Sequence, residues 1–170
     1  MNEKEKIEKS TAEGFLTLFN SHFGATFSIY KLCDAPDVKC QNSEGEELNL
    51  EVTLTEDRSK DIQASLGRSN HRSVEALEEH NKKVAEGKEQ PLFSSLSGNV
   101  LEQAASRINE KLIKRYGSNT ALVVRDTSGV DWEWDSVIED LKNKLNLENN
   151  PFDKGIWILN LAKTKLYQVT

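Results

Sequence analysis

The clearest pattern of apolar and polar positions lies between residues 36 and 55. Two segments there alternate with a period of two, which is typical of half-buried β-strands. A polar turn, Asn42–Gly45, joins them, so the pattern predicts a β-hairpin. Val38 and Cys40 share the apolar side of the first arm. The apolar side of the second arm carries Leu48, Leu50, Val52 and Leu54.

Helical periodicity is found in other segments. Residues 3 to 22 place apolar side chains on one arc, and Gly24 would end that helix. A second helix is predicted at about 100 to 116, with Asn99 as N-cap and Gly117 as C′ residue. A third would follow Asp131 as its cap, on the apolar positions Trp134, Ile138, Leu141 and Leu145. A weaker helix is predicted at 72 to 86.

Further strands are predicted at 26–32, 121–125, 155–159 and 166–169. The segment 121–125 is continuously apolar, as a central strand would be, and the last strand would close one edge of the sheet. Strands mixed with helices predict one α/β layered domain over residues 1–170, with a partly parallel sheet and a polar helical insertion at about 56–97.

Composition limits the function classes. The chain has 170 residues, of which 29% are charged, and a formal net charge of −6, so it does not resemble a strongly basic DNA-binding protein. No apolar run approaches a membrane span, and the N-terminus is too charged for a secretory signal. Cys33 and Cys40 match no zinc spacing, so we expect buried, reduced thiols and a cytoplasmic protein.

The candidate chemistry lies on the polar side of the hairpin. If the apolar sides of its arms align, Asp37 and Glu51 lie side by side on neighbouring strands. Two adjacent carboxylates repel each other unless a cation lies between them, and oxygen ligands suit Mg²⁺ or Mn²⁺. The alternative is that both are solvated groups on the outer face of an amphipathic strand.

Two helices offer further charged groups. Glu8 projects into the apolar arc of the first helix, whereas Glu13 lies away from it. A buried acid needs a partner or a cation, although Glu8 near a helix start is also favoured by the helix dipole alone. On the second helix Lys111 lies at the margin of the apolar face, so its stem can run along the sheet toward the carboxylates, while Lys114 lies further toward solvent.

The predicted order helix, three strands, helix, strand is similar to the core of the PD-(D/E)XK nuclease superfamily, the restriction-endonuclease-like fold. Pro36-Asp37 followed by Glu51-Val52-Thr53 resembles its PD…(D/E)xK signature. Thr53 departs from the motif by replacing the lysine. Some branches carry that lysine on the following helix, and the segment from Lys111 to Tyr116 resembles this variant. The likeness covers residues 5 to 125, and the C-terminal helix and hairpin are peripheral to it.

The resemblance implies a metal-dependent DNA endonuclease that hydrolyses phosphodiester bonds and works in many cases as a homodimer. Asp37, Glu51 and the carbonyl of Val52 would bind Mg²⁺ or Mn²⁺. Lys111 would stabilise the charge on the phosphate or help to deprotonate the attacking water, with Lys114 as the reserve candidate. Glu8 would complete the metal shell.

Two alternatives remain open. One is a catalytically inactive member of the same fold that acts as a protein-binding or DNA-binding module, which Thr53 and the acidic net charge permit. The other is an unrelated α/β protein in which Asp37 and Glu51 are only surface groups. Trp134 is expected in the core by its helical spacing, and an exposed Trp132 would mark a partner surface.

Overall fold

The structure is a computed structural model that describes residues 1–55, 82, 83, 86, 97–127, 133–162 and 164–170, with only the backbone at 97–100. Its long helices are α1 (Glu3–Phe23), α2 (Ser97–Leu112) and α3 (Trp134–Asn143). Its strands are β1 (Ser28–Leu32), β2 (Val38–Gln41), β3 (Glu47–Leu54), β4 (Thr120–Arg125), β5 (Ile156–Asn160) and β6 (Lys165–Gln168). The weak helix at 72–86, except for residues 82, 83 and 86, lies outside the described residues, as do Asp131 and Trp132.

One six-stranded mixed sheet connects the described elements in the order β1-β2-β3-β4-β5-β6. The first two pairings are antiparallel, β3, β4 and β5 run parallel, and β6 returns antiparallel to β5. The predicted α/β class and the partly parallel sheet are therefore confirmed. The parallel centre follows from the helical connections, because a crossover is needed to bring consecutive strands into the same direction.

Both faces of the sheet are packed. On one face α1 contributes Phe15 to a core that includes Leu50 and Val123. On the other face α2 contributes Ile108 to a core with Leu122, Trp134 and Ile158. Because successive side chains of a strand point to opposite faces, the neighbours Leu50 and Glu51 point into different layers. Glu51 therefore lies on the α2 side of the sheet. This side is covered, whereas one of the two interpretations of the sequence made it a solvated face.

The start and the end of α1 are both capped. Asn2 and Glu5 form a capping box, in which the Asn2 side chain accepts from Glu5 N at 2.8 Å and Glu5 accepts from Asn2 N at 2.9 Å. Gly24 ends the helix in the left-handed conformation at φ 63°. The capping box fixes the first turns of α1, which carry the charged residues Lys4 and Glu8.

Both predicted boundaries of the second helix were wrong. Helix α2 begins at Ser97, so Asn99 lies inside it and is not its N-cap. Helix α2 ends at Leu112, so Gly117 lies in the connection to β4 and is not its C′ residue. The chain leaves the helix through a turn in which Lys114 N donates to Lys111 O at 3.1 Å. Beyond it the Tyr116 ring packs against Phe152 with centroids 4.8 Å apart. Tertiary contacts of this aromatic residue thus override a local stop signal.

The cysteines and the helix lengths bear on two smaller expectations. Cys40 is buried and Cys33 is only half-buried, and both are free thiols, so the expected pair of buried thiols holds for Cys40 alone. Within the described parts of the chain, the helices are too short or too polar to cross a membrane.

Candidate functional site

The register of the hairpin brings the two predicted carboxylates together. Val38 pairs with Leu50 across β2 and β3, so the preceding Asp37 stands opposite Glu51. Each residue is only 4% exposed. Asp37 Oδ2 accepts a hydrogen bond from Val52 N at 2.8 Å. Because the N–H and C=O of one strand residue point to the same side, the Val52 carbonyl faces the Asp37 side as well.

Glu51 is held through one of its two oxygens. Lys111 Nζ donates to Glu51 Oε1 at 2.6 Å, and Tyr116 Oη donates to the same oxygen at 3.3 Å. The other oxygen, Oε2, is buried and has no hydrogen-bond partner among the described residues. An unsatisfied buried carboxylate oxygen is costly, and a bound cation or hydrogen-bond donor would remove that cost.

Burial and like charge act together on Asp37. Desolvation by burial, together with repulsion from Glu51 and Glu8, raises the pKa of this carboxyl to about 7. The hydrogen bond from Val52 N and the Lys111 ammonium oppose the rise. The protein alone therefore favours the neutral form of Asp37, and a cation between the carboxylates would favour the ionised form instead.

Helix α1 supplies a third carboxylate and a second ammonium. Glu8 is 5% exposed, and Lys4 Nζ lies 3.0 Å from Glu8 Oε1 and 3.9 Å from Asp37 Oδ1. Glu13 instead is exposed and lies 3.8 Å from Lys9 Nζ. Of the two acids that the sequence left open, the structure places Glu8 at the carboxylates.

The two candidate lysines occupy different surroundings. Lys111 comes from the last turn of α2, and its side chain is 20% exposed. Lys114 lies beyond the end of the helix and is exposed. Thr53, which stands where the motif has lysine, is 8% exposed and shares a face of β3 with Glu51. The ammonium at Glu51 thus belongs to Lys111.

Sequence reasoning missed Tyr116 and Lys4 as members of the site. Burial and the neighbouring Glu51 raise the pKa of Tyr116, which keeps its hydroxyl protonated and donating. The only sequence signal for Lys4 was its spacing of four residues from Glu8, which allows an ion pair on a helix. Tyr116 had no such signal, because its position depends on how the connection after α2 folds.

A separate open groove of about 420 Å³ lies between α1 and the end of β4. Its walls include Ser10, Glu13, Arg125 and Asp126. Acidic and basic side chains both line it, and it contains neither Asp37 nor Glu51. The predicted chemistry therefore does not lie in this groove.

The donor atoms at the carboxylate site are of the type that a small divalent cation with part of its water shell would take. The described residues include no group of three or more His, Cys, Asp or Glu arranged to hold a metal by themselves. Mg²⁺ needs fewer protein ligands than that, because it is commonly bound by one or two carboxylates together with waters and substrate phosphate. Asp37, Glu51 and the Val52 carbonyl supply hard oxygen donors, and Glu51 Oε2 still lacks a partner among the described residues.

Comparison of the chain with protein-family models, with curated proteins and with solved structures finds no significant match to any of them.

Proposed function

We propose that the protein is a metal-dependent DNA endonuclease with a restriction-endonuclease-like core that runs from α1 to β4. The observation that carries the proposal is Glu51, a buried carboxylate with one oxygen held by Lys111 and Tyr116 and the other unpartnered among the described residues. Asp37 stands beside it with a raised pKa. Support for the fold comes from the order of the strands, antiparallel through β3 and parallel to β4.

The site has residues for the metal and residues for the phosphate. Asp37, Glu51 and the Val52 carbonyl would hold Mg²⁺ or Mn²⁺. A divalent cation there would lower the pKa of a water in its shell and offset the charge that builds on the scissile phosphate. Tyr116 fixes the orientation of Glu51 by its hydrogen bond to Oε1. Glu8 adds negative charge at the Asp37 side, which favours a cation.

Lys111 would stabilise the negative charge that develops on the phosphate in the transition state. Its ammonium lies at the end of a long stem, 2.6 Å from Glu51 Oε1, and stays partly exposed to incoming substrate. A positioned ammonium stabilises an anionic transition state because it need not reorganise during the reaction. It can also hold the attacking water in place for deprotonation.

An inactive member of the same fold that binds protein or DNA is the second candidate. Thr53 and the net charge of −6 favour it. However, the ammonium that Thr53 cannot supply is provided at Glu51 by Lys111, and this favours the active enzyme.

Cleavage of plasmid and linear DNA with Mn²⁺ tests the proposal. We expect Lys111→Met to lower the cleavage rate by about 10²-fold or more, because transition-state charge loses its ammonium. Lys114→Met is the matched control, since Lys114 is exposed and lies only three residues along, and we expect a rate within about twofold of wild type.

Three results would contradict the assignment. Wild-type protein that cleaves no DNA in Mn²⁺ would favour the inactive candidate. Cleavage that survives EDTA would show a metal-independent contaminant or mechanism. Loss of cleavage in Lys114→Met with full activity in Lys111→Met would move the catalytic lysine into the connection after α2.

A further inference from the structure

Lys4 is the second lysine at the carboxylates, and the proposed nuclease mechanism gives it no role. Its Nζ bridges two buried carboxylates, at 3.0 Å from Glu8 Oε1 and 3.9 Å from Asp37 Oδ1. Yet the Lys4 side chain itself is 67% exposed. The hydrogen bond to Glu8, together with the charge of Asp37, raises the pKa of Lys4. Its ammonium is therefore charged and attracted to the carboxylates from the solvent side.

The charge balance explains why such a bridge forms. The side chains of Glu8, Asp37 and Glu51 are all nearly buried. Lys111 forms an ion pair with Glu51 and with neither of the other two acids. Like charges this close raise each other's free energy unless a cation lies between them. Lys4 supplies that cation at the Glu8 and Asp37 end.

We propose that Lys4 is a tethered competitor of the divalent cation, whose ammonium occupies the outer side of the carboxylate cluster and must swing away when the metal binds. The inference rests on the proposed metal site and adds a device that sets its affinity. An exposed lysine stem can leave at small cost, because its tip returns to water and its methylene groups stay mobile. The protein would then bind the metal more weakly than its carboxylates alone allow.

Charge and geometry indicate that the metal displaces an ammonium and that this ammonium belongs to Lys4. Oxygen ligands bind a divalent ion more strongly than an ammonium at the same place, since the ion carries twice the charge at shorter distance. Lys111 cannot play the same part, because it donates at 2.6 Å to the one Glu51 oxygen that Tyr116 also holds. Lys4 is therefore the cation that exchanges.

Calorimetric titration with MnCl₂ at pH 8.5, above the pKa of Asp37, tests the competition directly. We expect Lys4→Gln to bind Mn²⁺ about tenfold more tightly than wild type, because one competing charge is gone. Lys4→Arg keeps the charge, so its affinity should stay within about twofold of wild type. Lys9→Gln is the matched control, since Lys9 pairs on the same helix with the exposed Glu13, and it should also bind as wild type does.

A second readout follows the lysine itself. Acetylation by dilute acetic anhydride, quantified by mass spectrometry, should be faster at Lys4 when Mn²⁺ is present, because its Nζ has lost Glu8. Lys9 in the same sample is the internal reference and should react at an unchanged rate. A metal that leaves Lys4 reactivity unaltered would contradict the exchange.

The outcomes separate this inference from the proposed function. If wild type and Lys4→Gln bind Mn²⁺ equally well, the metal site stands and the competition is refuted. If Lys4→Gln binds more weakly, Lys4 supports the site and the inference is likewise wrong. If no variant binds Mn²⁺, the metal site and the inference fall together.

Discussion

Asp37 is the residue whose surroundings most clearly oppose its charge. It is 4% exposed, and burial together with Glu51 raises its pKa to about 7. In the unfolded chain an aspartate titrates near its ordinary value of about 3.9. The folded protein therefore binds a proton between these two pH values that the unfolded chain has released. Folding stability contributed by protonated Asp37 is full below about pH 4 and is lost as the pH rises through about 7.

Asp37→Asn should reveal how much folding stability the ionisation of Asp37 removes when no metal is bound. An asparagine keeps an oxygen that can accept from Val52 N and carries no charge at any pH. In EDTA we expect the variant and wild type to have similar free energies of unfolding at pH 4.5. At pH 8 the variant should be more stable, by about 2 kcal/mol. Chemical denaturation at several pH values measures the difference.

Asp34→Asn is the control, because Asp34 is exposed and lies three residues earlier. Its unfolding free energy should follow wild type at each pH. An Asp37→Asn advantage that is constant between pH 4.5 and 8, or that is largest at low pH, would show that the pKa of Asp37 is not raised in the folded protein.

The sequence predicted that Asp37 and Glu51 lie side by side, but it did not predict that both are buried. The pairing follows from strand alternation and a turn of known position, which are local properties. Burial depends on α2, whose Lys111 pairs with Glu51 from 60 residues further along the chain. A pattern within the hairpin contains no information on that distant helix.

At the scale of elements, the turn before β5 shows how a strand is placed. Gly155 has φ +94°, and its carbonyl accepts from Leu122 N at 3.0 Å. A Cβ on Gly155 would lie 2.7 Å from Thr170 O and 3.0 Å from Trp157 Nε1. Glycine is therefore required both by the backbone conformation and by the close approach of the C-terminal segment.

Gly155→Ala should destabilise the fold by about 2–4 kcal/mol, because strain at positive φ adds to a clash with backbone. The unfolding free energy from urea denaturation measures the change. Gly117→Ala is the control: its Cβ would meet nothing within 4 Å, and we expect a change below about 0.5 kcal/mol. Equal stability of the two variants would mean that the turn before β5 is not constrained as described.

The elements were predictable to different degrees. The hairpin, α1 and the apolar strand β4 have strong local periodicity, so their positions could be predicted within a few residues. The end of α2 could not, because Gly117 offered a stop signal that Tyr116 and its contact with Phe152 displaced. Asp131, predicted as a cap, lies outside the described residues, and Glu133 stands at the N-cap of α3 without a side-chain hydrogen bond.

For the molecule as a whole, the buried carboxylates and the negative net charge both favour a cation as partner. The chain carries a formal charge of −6, so long-range attraction does not draw it to DNA. Asp37 lies just before β2, and Glu51 lies in the second half of β3, which runs parallel to β4. The carboxyl ends of parallel strands are where open α/β sheets bind ligands. A divalent cation at this edge would supply the positive charge that the molecule as a whole lacks.

Calorimetric titration of wild type and Glu51→Gln with MnCl₂ at pH 8 tests that claim most directly. Glutamine keeps the size of the side chain and removes the charge, so binding should weaken by more than about tenfold. Glu13→Gln, which removes an exposed carboxylate from α1, should bind as wild type does. We predict one Mn²⁺ bound per wild-type chain, with this weaker affinity in Glu51→Gln and the wild-type affinity in Glu13→Gln. No binding by wild type, or equal binding by Glu51→Gln, would contradict a metal site at the Asp37–Glu51 pair.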